Sequence, residues 1–127
     1  MKTVLVCLLA VFCCSCGYGS KNTTPPAPGV KPAITALVPS SVNANSAGFV
    51  LTVNGNSFNS NAEVKWNGTS QNTTVVTGNQ LTVNIPTSMV TTPGTVQVTV
   101  ENPGTAGGMY GGGTMDETSN PMTFTIQ

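Results

Sequence analysis

The sequence predicts an all-β protein, an immunoglobulin-like β-sandwich of about seven antiparallel strands with no disulfide. Five segments alternate apolar and polar residues with a period of two, as half-buried strands do. Each of these segments is bordered by Gly, Pro or Asn, and no window beyond the N-terminal leader has the spacing of an amphipathic helix. All four cysteines lie within the first 16 residues, so none remains in the predicted domain to form a disulfide.

Seven segments are predicted to form strands, five with clear alternation and two with weaker alternation. The five alternating segments are `FVLTVNG`, `EVKWNG`, `QLTVNIP`, `TVQVTVE` and `MTFTIQ`. `AITALVP` predicts a first strand and `TTVVT` a short extra one, both with weaker alternation. Without a disulfide the core has to be stabilised by packing, and large aromatic side chains contribute most to such a core. The expected aromatic anchors are Phe49, Phe58, Trp66 and Phe124.

The first 15 residues resemble a secretory signal of the lipoprotein type. The apolar run from Val4 to Cys14 has the length of a signal-peptide core, whereas a membrane-spanning helix needs about 20 residues. Ser15 is a small residue that precedes Cys16, as in bacterial lipoproteins, where the cysteine becomes the first mature residue and carries the lipid. Lipidation of Cys16 and a location at the cell envelope (the outer membrane if the source is Gram-negative) are therefore expected. The alternative is an ordinary cleaved signal.

Residues 16–32 predict a tether, and residues 33–127 predict the folded domain. The tether contains Pro25, Pro26 and Pro28, which favour an extended polyproline conformation of about 3 Å per residue. A spacer of this composition would hold the domain away from a membrane, which is consistent with a lipid anchor.

The domain resembles the IPT/TIG domain, an immunoglobulin-like module that plexins, some transcription factors and many bacterial surface proteins share. The matching segments are `AITALVPSSV`, `FVLTVNGNSF`, `VKWNG`, `LTVNIP`, `TVQVTV` and `NPMTFTI`. Within them Gly55 and Phe58 match the Gly-x-x-Phe turn of the family, while Pro39 and Pro86 close their strands. The resemblance implies an immunoglobulin-like fold. The stretch between the last two strands, residues 103–121, is longer than this pattern needs.

Composition argues against catalysis, cofactors and nucleic acid. Without histidine, Ser-His and Cys-His nucleophile systems and histidine metal sites are excluded. Beyond the leader the only cations are Lys21, Lys31 and Lys65, too few and too scattered to bind phosphates. Glu63 and Glu101 are expected on outward strand faces. We therefore expect neither an enzyme nor a protein with a metal or other cofactor.

The glycine-rich loop at residues 103–121 is the candidate interaction site, expected to be the most mobile part of the domain and expendable for folding. Its candidate residues are Met109, Tyr110, Asp116 and Glu117. Met and Tyr at the tip of a loop on a rigid sandwich are typical of protein recognition. Calcium at the acidic pair is an alternative, although this cation requires six to eight oxygen ligands. A second alternative is that the loop is only filler and the domain is a structural spacer or assembly subunit. Glycan binding is a third alternative and has little support, because Tyr110 is the one aromatic residue expected to be exposed on the domain.

Overall fold

The computed structural model describes residues 26–108 and 111–127, and within them the chain forms two packed β-sheets. The predicted fold class, an immunoglobulin-like β-sandwich, is confirmed. Among these described residues, the secondary structure beyond the strands is a single 3₁₀ turn at Thr87–Met89. None of the described residues belongs to a helix that is long and apolar enough to cross a membrane.

The first sheet contains four antiparallel strands in the order β1-β3-β7-β6. Its strands are β1 (Ala33–Val38), β3 (Phe49–Asn56), β6 (Thr73–Thr77) and β7 (Gln80–Ile85). None of these four strands contains a charged residue. The outer face of this sheet is therefore made of Thr, Asn, Gln, Ala and Val side chains.

The second sheet follows the order β2-β10-β8-β4-β5, and β9 pairs with the end of β8. Its strands are β2 (Ser41–Val42), β4 (Glu63–Trp66), β5 (Thr69–Ser70), β8 (Gly94–Asn102), β9 (Glu117–Thr118) and β10 (Met122–Ile126). The chain crosses from the first sheet to the second after Pro39, so β2 lies parallel to β10 while the other pairs of this sheet are antiparallel.

The core lies between the two sheets and consists of the apolar residues that the period-two pattern places inward. Along β8, for example, Val98 and Val100 are fully buried, while Gln97 between the inward positions is exposed. Phe58, Trp66 and Phe124 are buried, whereas Phe49 is partly buried at the edge of the core. The ring of Phe124 contacts both other β-strand aromatics, with centroids 5.0 Å from Trp66 and 5.7 Å from Phe49.

Candidate interaction site: a glycine-rich hairpin and the docked tether

In the first part of the long loop, residues 104–108 and 111–115 form the two arms of a narrow hairpin. Near its base, Thr105 and Thr114 exchange hydrogen bonds, with each backbone N–H donating to the other residue's hydroxyl oxygen at 3.0 and 3.1 Å. Nearer the tip, the N–H of Gly108 donates to the carbonyl oxygen of Gly111 at 3.1 Å, and Gly111 donates back at 3.0 Å. Such paired bonds define a hairpin, which is a more specific arrangement than the loose loop that the sequence predicts.

Glycine is required in this hairpin because the two arms lie very close together, as Gly104 and Gly113 show. A Cβ atom on Gly104 would collide with the carbonyl oxygen of Thr114. Gly113 has a φ of 91°, in a region that favours glycine, and a Cβ atom there would collide with the carbonyl oxygen of Thr105. The glycine content therefore has a steric role in bringing the arms together.

The four candidate residues of the loop occupy different environments. Met109 and Tyr110 follow Gly108 and precede Gly111, and they lie outside the described residues. The Asp116 carboxylate accepts a hydrogen bond from the backbone N–H of Gly104 at 2.6 Å, at the base of the hairpin. Glu117 begins β9 and is paired with Asn102 of β8. The acidic pair therefore belongs to the framework of the hairpin, not to a flexible loop.

The last residues of the predicted tether lie against this hairpin. Ala27 pairs in parallel with the second arm: its N–H donates to the carbonyl oxygen of Gly113, and its carbonyl oxygen accepts from the N–H of Met115, both at 3.0 Å. Gly29 passes so close to Met115 that a Cβ atom would collide with the Met115 carbonyl oxygen. Pro32 is fully buried. We call residues 26–32 the docked segment.

Asn102, at the end of β8, connects the docked segment to the sandwich. Its side chain is 1% exposed and makes three hydrogen bonds with backbone groups. The amide nitrogen donates to the carbonyl oxygens of Val30 at 2.6 Å and Ser57 at 2.8 Å, and the amide oxygen accepts from the N–H of Asn59 at 3.0 Å. Buried polar groups need hydrogen-bond partners, and this amide finds them in two other segments. It thereby joins the end of β8 to the docked segment and to the residues that follow β3.

Sequence reasoning did not identify Asn102, although the alternation contains the signal. Inward residues of β8 fall on even numbers, and Asn102 continues that series after Val100. A polar amide at an inward position predicts a buried hydrogen-bonding role.

The expectation that the whole stretch 103–121 is expendable is wrong for its last five residues. Ser119 is buried, and its hydroxyl accepts from the Val100 N–H at 2.9 Å and donates to the Asn120 carbonyl oxygen at 2.8 Å. The Asn120 side chain binds both backbone groups of Ile34 in β1, accepting from its N–H at 3.0 Å and donating to its carbonyl oxygen at 3.1 Å. Residues 117–121 therefore connect the two sheets, and any shortening has to be confined to the hairpin.

Charged and aromatic groups form no further site among the described residues. These residues contain no group of three or more acidic, cysteine or histidine side chains that could hold a metal ion. Lys65 forms an ion pair with Glu101 across β4 and β8 on the outer face of the second sheet. The described aromatic side chains all pack in or against the core, which leaves no exposed ring in residues 26–108 and 111–127 for stacking on a sugar.

The two-sheet fold with a hairpin beside its N-terminal entry defines the chain as an immunoglobulin-like module. The family model of the IPT/TIG domain matches residues 32–126, three quarters of the sequence, and the chain therefore belongs to the IPT/TIG family. Domains of this family are generally non-catalytic and commonly mediate protein–protein interaction. A comparison with curated proteins gave no match.

Proposed function

We propose that the chain is a lipid-anchored, extracytoplasmic IPT/TIG module that binds a protein partner at the cell envelope and catalyses no reaction. The observation that carries this proposal is the glycine-rich hairpin on a domain whose family commonly binds proteins. The hairpin is an addition to the sandwich, since its residues are not needed to complete either sheet.

The chemistry of the hairpin suits protein recognition. Its arms are fixed by paired hydrogen bonds, so little entropy is lost when the hairpin binds. Met109 and Tyr110, which follow Gly108 in the sequence, combine an adaptable thioether with an aromatic ring that has one polar end. Tyr is among the residues that contribute most at protein interfaces.

The anchor is supported by the sequence of the leader. A short apolar run followed by Ser15 and Cys16 resembles the lipoprotein signal, and a Pro-containing spacer follows. Lipid attachment would contribute about 0.8 kcal/mol per buried methylene to membrane binding.

Partner capture from an envelope extract tests the proposal. The first variant, Tyr110→Ala, removes the aromatic ring. The second combines Met109→Asn with Tyr110→Gly, which retains the loop length and supplies the two-residue turn that best suits a hairpin. Thr92→Ala is the matched control, because Thr92 is exposed near the start of β8, at the opposite end of that strand from the hairpin.

We expect Tyr110→Ala to reduce recovery of the partner at least about tenfold, as for a hot-spot residue, and Thr92→Ala to have no effect. Equal recovery with every variant would show that the hairpin is not the binding site. The module would then be a spacer or assembly subunit, and an unrelated sandwich of the same size would be able to replace it.

Cell fractionation tests the anchor separately. Cys16→Ser should move the protein from the detergent phase to the soluble extracytoplasmic fraction, since the attachment site is lost. A mature protein with the mass of a plain polypeptide would contradict the lipid anchor but would leave partner binding to be judged by the capture experiment.

A further inference from the structure

Three of the four outer edges of the two sheets are very short or partly covered in the described part of the chain. Near the start of β1, the Asn120 side chain binds both backbone groups of Ile34, one of the six residues of this strand. On the second sheet, β2 at one edge contains only two residues. At the opposite edge, β5 also contains only two residues, and the backbone groups of Val64 in the neighbouring part of β4 are bonded to the Thr73 hydroxyl and the Gln71 N–H, both at 2.8 Å.

The fourth edge, the outer side of β6, has no strand beside it among residues 26–108 and 111–127. Natural sheets protect such edges with Lys, Pro, inward-pointing charges or bulges. β6 consists of five consecutive β-branched residues, and no charged residue lies between Lys65 and Glu101. Of these protective devices, β6 has only the irregularity between Val75 and Thr77, where the intervening Val76 is 52% exposed. The edge therefore favours pairing with another strand.

We propose that β6 is a self-association edge, at which a second copy of this chain adds its own β6 in antiparallel orientation. A two-fold axis through the middle of the strand pair would make one continuous eight-stranded sheet from two four-stranded sheets. The backbone groups provide the pairing, so the interface needs no partner-specific side chain.

A second copy is the occupant that charge favours. The edge is uncharged, and beyond residue 15 the chain has three lysines and four acidic residues, so two copies approach with little like-charge repulsion and without the cost of desolvating ions at the edge. Outward-facing Val and Thr side chains are well suited to cross-strand contacts between copies. A cationic peptide would instead be expected to lie beside Glu63, which lines an open hollow of about 470 Å³ together with Thr73 and Val75.

The size of the edge makes the dimer weak in solution. Five residues of strand extend about 17 Å, and the surface buried by one such pair is smaller than the roughly 1,200 Å² of a stable interface. Confinement to a membrane raises the effective concentration of weakly associating domains. This last step rests on the proposed lipid anchor, whereas the pairing itself does not.

Sedimentation equilibrium of the whole mature chain with Cys16→Ser tests the edge in solution, independently of the anchor. The native edge should give a concentration-dependent monomer–dimer equilibrium. Val76→Lys should weaken dimerisation at least about tenfold, because it places like charges across the strand pair. Val50→Lys is the matched control: Val50 is 54% exposed on the same sheet but on the central strand β3. It should leave dimerisation unchanged.

A charge-reversal mixture separates loss of pairing from loss of folding. Val76→Lys and Val76→Glu should each be monomeric, and an equimolar mixture should recover a heterodimer. A native chain that remains monomeric up to about 1 mM, where even weak complexes form, would overturn the proposal. Loss of association with Val50→Lys but not with Val76→Lys would also overturn it, because that result would indicate that the sheets pack face to face. Pairing of β6 with a peptide of another protein, in place of a second copy, would overturn it as well.

Discussion

Replacement of Asn102 by alanine is predicted to destabilise the domain far more than its position at a strand end suggests. The substitution removes three hydrogen bonds, to Val30, Ser57 and Asn59, in a place where the side chain is fully enclosed. At a net contribution of about 1 kcal/mol for each bond, the free energy of unfolding should fall by about 3 kcal/mol. That is a large fraction of the 5–15 kcal/mol typical of a domain, and the thermal midpoint should fall by roughly 10–20 °C.

Urea denaturation followed by Trp66 fluorescence measures the loss. Asn102→Asp separates hydrogen bonding from shape: it is nearly isosteric, but its carboxylate cannot donate to the two carbonyl oxygens, so we expect at least the same loss. Asn61→Ala is the control of the same residue type, since Asn61 is exposed and reaches the Pro103 carbonyl oxygen only at 3.4 Å. A change of less than 1 kcal/mol in Asn102→Ala would refute the view that this amide connects the segments.

Three further changes test the core, the docked segment and the surface. Trp66→Ala should cost roughly 3–5 kcal/mol, measured by circular dichroism during urea denaturation, because it leaves a cavity against the core; a loss below 1 kcal/mol would contradict the packing. Gly29→Val should detach the docked segment and accelerate hydrogen exchange of the Met115 amide while leaving the sandwich folded; unchanged exchange would show that the segment is held elsewhere. Lys65→Met should change the free energy of unfolding in urea by less than about 1 kcal/mol, because the ion pair of Lys65 with Glu101 is partly exposed. A loss above about 1 kcal/mol that persists at high salt would show that Lys65 stabilises the domain by something other than this ion pair.

The longer strands were predictable because each buries one face. In β3, β7 and β8 the apolar residues at every second position lie in the core, as their sequence indicates. The two-residue strands β2, β5 and β9 were not predicted, since two residues cannot display a period. The parallel pairing of β2 with β10 depends on where the chain crosses between sheets after Pro39, which local pattern does not specify.

The sequence predicted where the long loop lies but not its hairpin form. Composition identified the glycine-rich stretch. Glycine has no side chain and therefore shows no alternation of apolar and polar residues, so Gly104 and Gly113 did not indicate that the two arms of the hairpin contact each other. The contacts of Asn120 with Ile34 join residues 86 positions apart, a separation at which sequence pattern carries no information. For the candidates Cys16, Met109 and Tyr110, which lie outside the described residues, the roles inferred from sequence stay predictions.

The docked segment shortens the part of the tether that can separate the domain from a lipid anchor. A tether of 16–32 would have 17 residues, but the contacts of Ala27 with the hairpin leave only residues 16–26 upstream of it. Eleven residues span at most about 36–40 Å. Because Ala27 pairs in parallel with the second arm, the described chain enters this pairing from the Gly111 end of the arm. If Cys16 is lipidated, the contact of Ala27 with the hairpin lies within about 40 Å of the anchor, and a partner of the hairpin has to approach the membrane surface that closely.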